Sequence, residues 1–164
     1  MSPSKDEQVF LADLRNLLAE DTPGENEFLA ALDLALNHFD CAVGTIHVLD
    51  PQTNMLRLLA DRGIPEAIKD RVRQIPIGKG MAGLAAQRLQ PVQVCNLQTD
   101  ESGVAKPAAK LTEMKGSIAL PILVDGKLRG TFGVGKPTEY EFTPAETQAL
   151  LHIAELIGAH LPSN

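Results

Sequence analysis

Residues 75–100 read IPIGKGMAGLAAQRLQPVQVCNLQTD, and Gly78, Gly80 and Gly83 in it spell the dinucleotide-binding pattern G-x-G-x-x-G. That pattern carries its chemistry only when a buried parallel strand precedes it, a helix follows it and a second strand ends in an acid. Here Arg71, Arg73 and Pro76 precede the glycines and make a poor central strand. The helix opening at Met81 has barely two turns before Pro91, and the run Val92–Cys95 ends at Asn96. Lys79 stands before Gly80, so no phosphate-binding GK[ST] sequence exists. A kinase glycine-rich loop would need catalytic machinery that this chain lacks. The nucleotide-fold reading fails. The glycines instead suit a tight turn at Gly78 and Gly80 and a close helix–sheet approach at Gly83. Free amides at the start of the Met81 helix remain open to an anionic ligand.

Working outward, two pairs of apolar runs read as antiparallel hairpins. Ala42–Asp50 and Met55–Asp61 are joined by Pro51-Gln-Thr-Asn54. Gly116–Val124 and Lys127–Lys136 are joined by Asp125-Gly126, the pair a type I′ turn requires. Phe10, Leu14 and Leu17 in residues 5–20 fall at i, i+4, i+7 and predict an amphipathic helix. Thr22-Pro23-Gly24-Glu25 and Thr143-Pro144-Ala145-Glu146 each read as a capped helix start, with Thr at N-cap, Pro at N1 and Glu at N3. Ile64–Arg73 predicts a short helix, and 96–115 a long polar loop whose length suggests a job. The order is that of an α+β domain with a central antiparallel sheet and helices gathered on one face.

With 164 residues the chain suits one domain, and 44% hydrophobic content can bury a core. It has no Trp and one Tyr, and its formal net charge is −6, which argues against nucleic acid as a partner. No apolar run predicts a membrane span, and MSPSKDEQVF is no signal peptide, so the expected location is cytoplasmic. Cys41 and Cys95 are expected to be reduced, buried thiols on strands.

Three segments taken together, IPIGKGMAGLAAQRLQPVQVCNLQTD, GSIALPILVDGKLRGTFGVGKP and FTPAETQALLHIAELIGAHL, resemble the GAF domain family over about residues 22–161. The resemblance implies a six-stranded antiparallel sheet, a helical face that often dimerises and a small-molecule pocket on the other face. It leaves the ligand open. It also implies positions to check for chemistry. The free methionine-R-sulfoxide reductases of the family place a cysteine just before the last glycine of the turn and the catalytic one in the loop before the second hairpin. Here those places hold Ala82 and a cysteine-free loop around Lys106. The cyclic-nucleotide-binding set is mostly missing, with Asn96-Leu97 and Phe142 to Thr147 in its place. No Cys-His pair exists to attach a bilin. The expectation is a non-enzymatic module with no known cofactor.

Strand alternation sorts the candidate site. Ala42, Gly44, Ile46 and Val48 suit helix packing, while Val43, Thr45, His47 and Leu49 make the more ligand-like face. Thr45, His47, Ser117 and Thr131, with Asn96 and Asp100 from the loop, form the candidate ligand-binding set. Residues 61–90 carry six Lys/Arg against three Asp/Glu, which hints at an anionic ligand. No metal site is expected, because His152, Glu155 and His160 form no H-E-x-x-H. His38 lies where a cation complements a helix dipole. The last helix carries two apolar stripes, Leu150, Ala154, Ile157, Leu161 and Ala149, Ile153, Leu156. A helix covering one sheet needs one stripe. The second, with the N-terminal helix, suggests a homodimer through the terminal helices, though intrachain packing of that helix would absorb both. The domain reading is therefore 1–21 as a dimerising helix and 22–164 as the ligand-binding domain. The functional expectation is a stand-alone sensory module that signals to a protein partner. The alternatives are a sulfoxide-reductase-like enzyme and a ligandless interaction scaffold.

Overall fold

A computed structural model describes residues 4–19, 24–104 and 110–162. Helix α1 (Lys5–Leu17) starts at Ser4, whose hydroxyl accepts the Glu7 amide at 3.2 Å. Helix α2 (Glu25–Phe39) begins differently from the expectation at Thr22. Gly24 is its N-cap and donates its amide to the Glu27 carboxylate at 2.8 Å, so the reciprocal acid sits two residues later. The helix cannot start earlier with Gly24 held extended. Thr22 and Pro23 lie outside the described residues. At helix α5 (Pro144–Gly158) the expected capping box forms as read. Thr143 Oγ1 accepts the Glu146 amide at 3.1 Å, and Glu146 accepts the Thr143 amide at 2.9 Å.

Six strands form one antiparallel sheet in the order β3-β2-β1-β6-β5-β4. They are β1 (Val43–Asp50), β2 (Met55–Arg62), β3 (Gln74–Pro76), β4 (Val92–Val94), β5 (Gly116–Val124) and β6 (Lys127–Lys136). Both expected hairpins are present as β1–β2 and β5–β6. Asp125 and Gly126 both take positive φ, 54° and 76°, as a type I′ turn demands. β3 is an edge strand absent from the sequence reading. Its three residues pair with Met55–Arg57, and Pro76 is tolerated because it ends an edge. Between β2 and β4 run two short helices, α3 (Glu66–Arg73) and α4 (Gly80–Arg88).

The sheet has two covered faces. Ile46, Val48, Ile118, Leu120, Phe132 and Val134 point to one, where α1, α2 and α5 close the main core. Both stripes of α5 meet neighbours inside the chain. Leu150, Ile153 and Ile157 are fully buried, and Ala149, Ala154 and Leu161 are at most 9% exposed. Phe10, Leu11, Leu14 and Leu18 join the same core. Most of the stripes behind the dimer expectation is thus buried within the chain, against the sheet and α1, with Leu156 half-buried. His38 stacks on Phe10 with ring centroids 4.2 Å apart, adding to that seam.

The cysteines depart from expectation. Cys95 is exposed, because β4 is an edge strand that ends at Val94 and strand alternation turns residue 95 outward. Cys41 is half-buried in the turn before β1, and neither thiol lies on a strand. Burial pushes the Cys41 thiol up to about 11, against the opposing pull of Lys136.

Candidate functional site

On the sheet face away from α1, α2 and α5, a cavity of about 500 Å³ opens between β1, β6 and β5 and the α3–β3–α4 excursion. Its floor carries Val43, Thr45, His47, Ser117, Gly133 and Gly135. Ile64, Ile68, Val72 and Ile75 form one wall, and Gly80, Met81 and Ala82 another. Leu97, Thr112 and Met114 close the side toward the long loop. The volume lies within the range of small-molecule sites, and the lining is mainly apolar with a few polar groups, the usual pattern for such sites.

The glycine run builds the α4 wall. Gly78 and Gly80 take φ of 91° and 68°, turning the chain from β3 into the helix. Gly83 then nests against that turn rather than the sheet. A Cβ there would meet the Pro76 carbonyl at 2.5 Å, and the Gly83 carbonyl accepts the Gly78 amide at 2.8 Å. The turn therefore aims the first turn of α4 at the cavity. The amides of Gly80, Met81 and Ala82 sit where no intrahelical acceptor exists. Lys79 is the N-cap and makes no side-chain capping bond.

His47 is the most constrained polar group on the floor. It is 1% exposed, and its Nε2 lies 2.8 Å from the Val72 carbonyl. A carbonyl only accepts, so Nε2 carries the proton and Nδ1 presents a lone pair. Burial lowers the imidazole below its ordinary value, outweighing the Val72 bond and the Asp61 charge, so the ring is neutral at pH 7. Nδ1 has no partner, and neither does the buried Thr131 Oγ1 on the neighbouring strand. The two residues stand opposite each other in the β1–β6 register. Buried polar atoms left unpaired are uncommon and call for an explanation.

Of the six candidate residues, Thr45, His47 and Ser117 line the cavity. Thr131 lies beside His47 in register but is itself buried and outside the lining. Asn96 and Asp100 do not reach the cavity. Asn96 Oδ1 accepts the Gln98 amide at 3.0 Å, and Asp100 Oδ2 accepts the Ser102 hydroxyl at 2.8 Å, so both organise their own loop. Residue-level sequence reasoning missed Arg71, Gln74, Lys79 and Thr112. The cation excess of residues 61–90 was the signal, since Arg71 and Lys79 both line the cavity and no Asp or Glu among the described residues does. Neither cation is held in an ion pair among the described residues. Lys106 lies outside the described residues. Among the described residues no cluster of three or more His, Cys, Asp or Glu could hold a metal, and no helix is long and apolar enough to cross a membrane.

A sequence model of the GAF domain matches residues 26–161. The chain belongs to the GAF domain family. Among solved structures it is similar to the GAF domain of an Acinetobacter phosphoenolpyruvate-protein phosphotransferase, with a TM-score of 0.77, 16% identity, and 96% of this chain and 94% of that one covered. It is likewise similar to a free methionine-R-sulfoxide reductase from Neisseria meningitidis in complex with its substrate, with a TM-score of 0.77, 16% identity, and 98% and 92% covered. A putative GAF sensor protein from Burkholderia vietnamiensis matches with a TM-score of 0.75, 20% identity, and 96% of each chain covered. At these identities the likeness is one of fold. No curated protein matches the sequence.

Proposed function

We propose that this chain is a sensory or regulatory GAF module that takes a small molecule into the cavity between its sheet and the α3–β3–α4 wall. The observation that carries the reading is the cavity of about 500 Å³ whose floor contains a buried imidazole nitrogen without a partner. A fold built only as a scaffold gains nothing from that orphaned atom. GAF domains are in general ligand-binding regulatory modules, and the similar solved structures include a putative GAF sensor.

The module is non-enzymatic in this reading. Neither Cys41 nor Cys95 lines the cavity, so no thiol faces a bound molecule as a reductase nucleophile would. Occupancy would tie the excursion to the sheet, and a protein partner that recognises the closed arrangement would read it out. Such a response requires the ligand to bind one arrangement better than the other. The homodimer expected through the terminal helices is not part of the proposal, since the stripes that motivated it, apart from the half-buried Leu156, are buried within one chain.

Native mass spectrometry of gently purified protein tests the reading. A reproducible extra mass is expected, lost in a Thr45→Phe variant that places a ring in the cavity. An extra mass that persists unchanged in that variant would place the ligand elsewhere. If no mass is retained, two-dimensional NMR with a fragment set must still shift cavity residues, or the reading fails.

A further inference from the structure

The walls of the cavity are held in different ways. The α3 wall is tied to β1 by the bond from His47 Nε2 to the Val72 carbonyl at 2.8 Å, with His47 1% exposed. The α4 wall is held where the buried Gly83 accepts the Gly78 amide at 2.8 Å. The side toward the long loop is formed by Leu97, Thr112 and Met114, which lie on two limbs of that loop. Gln98 joins the limbs. Its side-chain nitrogen donates to the Lys110 carbonyl at 3.1 Å and to the Met114 carbonyl at 2.8 Å, and the residue is exposed. Both partners are carbonyls, so the NH₂ end of the amide faces them and uses both of its hydrogens. Asn96 Oδ1 accepts the Gln98 backbone amide at 3.0 Å, which fixes the residue where its side chain can cross the loop. At the foot of the limbs Leu97 donates its amide to the Lys115 carbonyl at 2.8 Å, and Lys115 donates its own to the Lys136 carbonyl of β6 at 2.8 Å. Residues 110–114 thus extend from a fixed end. Met114 reaches from them over the floor, where a Cβ at Gly135 would meet its Cγ at 3.3 Å.

We propose that Gln98 is a positioning residue for the cavity, holding residues 110–114 as its loop-side wall, and that release of this amide opens the route by which a small molecule enters and leaves. The inference rests on the cavity being a ligand site, as proposed above, and adds how that site is reached. Hydrogen bonds in contact with water open at a lower free energy than buried ones. Water can take the place of either carbonyl partner of Gln98, whereas His47 and Gly83 hold their bonds out of contact with it. The loop-side wall is therefore the one that yields first, pivoting at Lys115. The residue type matters to the role. A primary amide or an ammonium can donate to two carbonyls at once, and a carboxylate to neither. Gln98→Glu thus replaces two bonds with two repulsions at nearly constant size, and Gln98→Lys restores the donors.

A thiol placed on the floor reads the route without any ligand. Ser117 lines the cavity, and Ser117→Cys in a Cys95→Ser background leaves the half-buried Cys41 as an internal reference. Labelling of both thiols by iodoacetamide at pH 8 is followed by mass spectrometry of the full chain. Gln98→Glu should speed labelling at position 117 by about tenfold or more, with the rate at Cys41 and the urea midpoint unchanged. Gln98→Lys should bring the rate at position 117 back to within about threefold of the parent. An unchanged rate at position 117 in Gln98→Glu would overturn the assigned route, and the ligand-site reading would still stand on the mass retained in native mass spectrometry. Faster labelling of both thiols would also overturn it, since Gln98 would then support the whole fold. Equal acceleration in Gln98→Glu and Gln98→Lys would show that donation to the two carbonyls is not what holds the wall.

Discussion

His47 on β1 donates Nε2–H to the carbonyl of Val72 on α3 at 2.8 Å, a bond that spans 25 positions of sequence. It pins the excursion that walls the cavity to the strand that floors it. The neutral and the protonated ring can both donate this bond, and burial is what keeps Nδ1 unprotonated.

From this follows a pH dependence. The folded-state value of His47 is depressed below its unfolded value of 6.5, so the unfolded chain binds more protons between the two values. Stability should therefore be full above about pH 6.5 and fall as pH drops below it, by at most about 1.4 kcal/mol per pH unit. His47→Gln keeps a donor for Val72 without a titrating group and should flatten urea midpoints measured from pH 7.5 to 5.5. An unchanged slope would assign the effect to another group. Loss of the low-lying Glu146 carboxylate belongs to a separate, more acid window. Burial works to raise that group and is outweighed by bonds from Thr143 and Tyr140.

Gly83→Ala should be severe for its size. The added methyl would meet the backbone carbonyl of Pro76 at 2.5 Å, and no side chain can rotate away to relieve it. Overpacking of this kind costs about 1–3 kcal/mol. Chemical denaturation would give the loss, and NMR shifts should concentrate in β3, the Gly78 turn and α4. A loss below about 0.5 kcal/mol, within ordinary surface scatter, would contradict the close approach.

Leu14→Ala distinguishes two roles for the N-terminal helix. Leu14 is 0% exposed within one chain and belongs to the main core, so the substitution should lower unfolding free energy by about 2–5 kcal/mol. A helix serving dimerisation alone would leave stability unchanged on dilution below the dimer dissociation constant. Sedimentation and denaturation of the same variant separate the outcomes.

The two thiols should react at very different rates. Cys95 is exposed, whereas Cys41 is half-buried with its thiol pushed up to about 11 by burial. A colorimetric thiol reagent at pH 8 should titrate one cysteine quickly and the second only after denaturation. Mass spectrometry of the early product should place the label at Cys95. Two fast equivalents would contradict the burial of Cys41.

What was legible in the sequence was the local chemistry with a strong period or a specific turn. Asp125-Gly126, Thr143-Pro144 and the alternation through β1 each appear where they were read, because each is decided by its own neighbours. β3 was not legible, since three residues with one proline carry too little pattern until β2 is there to pair with them. Gly24 took the capping role expected of Thr22, because Glu27 reaches its amide directly. The site divides along the same line. Thr45, His47 and Ser117 follow from strand alternation and line the cavity. Arg71 and Lys79 depend on how an irregular excursion folds back, which no period records. Asn96 and Asp100 lie on the loop after β4, where no alternation applies, and both satisfy neighbouring loop groups instead.

The three strands beneath the cavity share a numerical regularity. Positions 43, 45, 47, 117, 119, 133 and 135 look toward the cavity side, and positions 46, 48, 118, 120, 122, 132 and 134 toward the helical core. Registers such as Thr45 opposite Gly133 and Ser117 opposite Gly135 keep odd numbers beside odd numbers across the sheet. Parity of residue number thus divides two kinds of tolerance to mutation. Even positions answer to the helical core, and odd ones to the cavity side, where Ala119 packs on α4 and His47 holds Val72. Point changes at odd positions such as 43, 45, 117, 133 and 135 can therefore reshape the cavity while the helical core is left untouched.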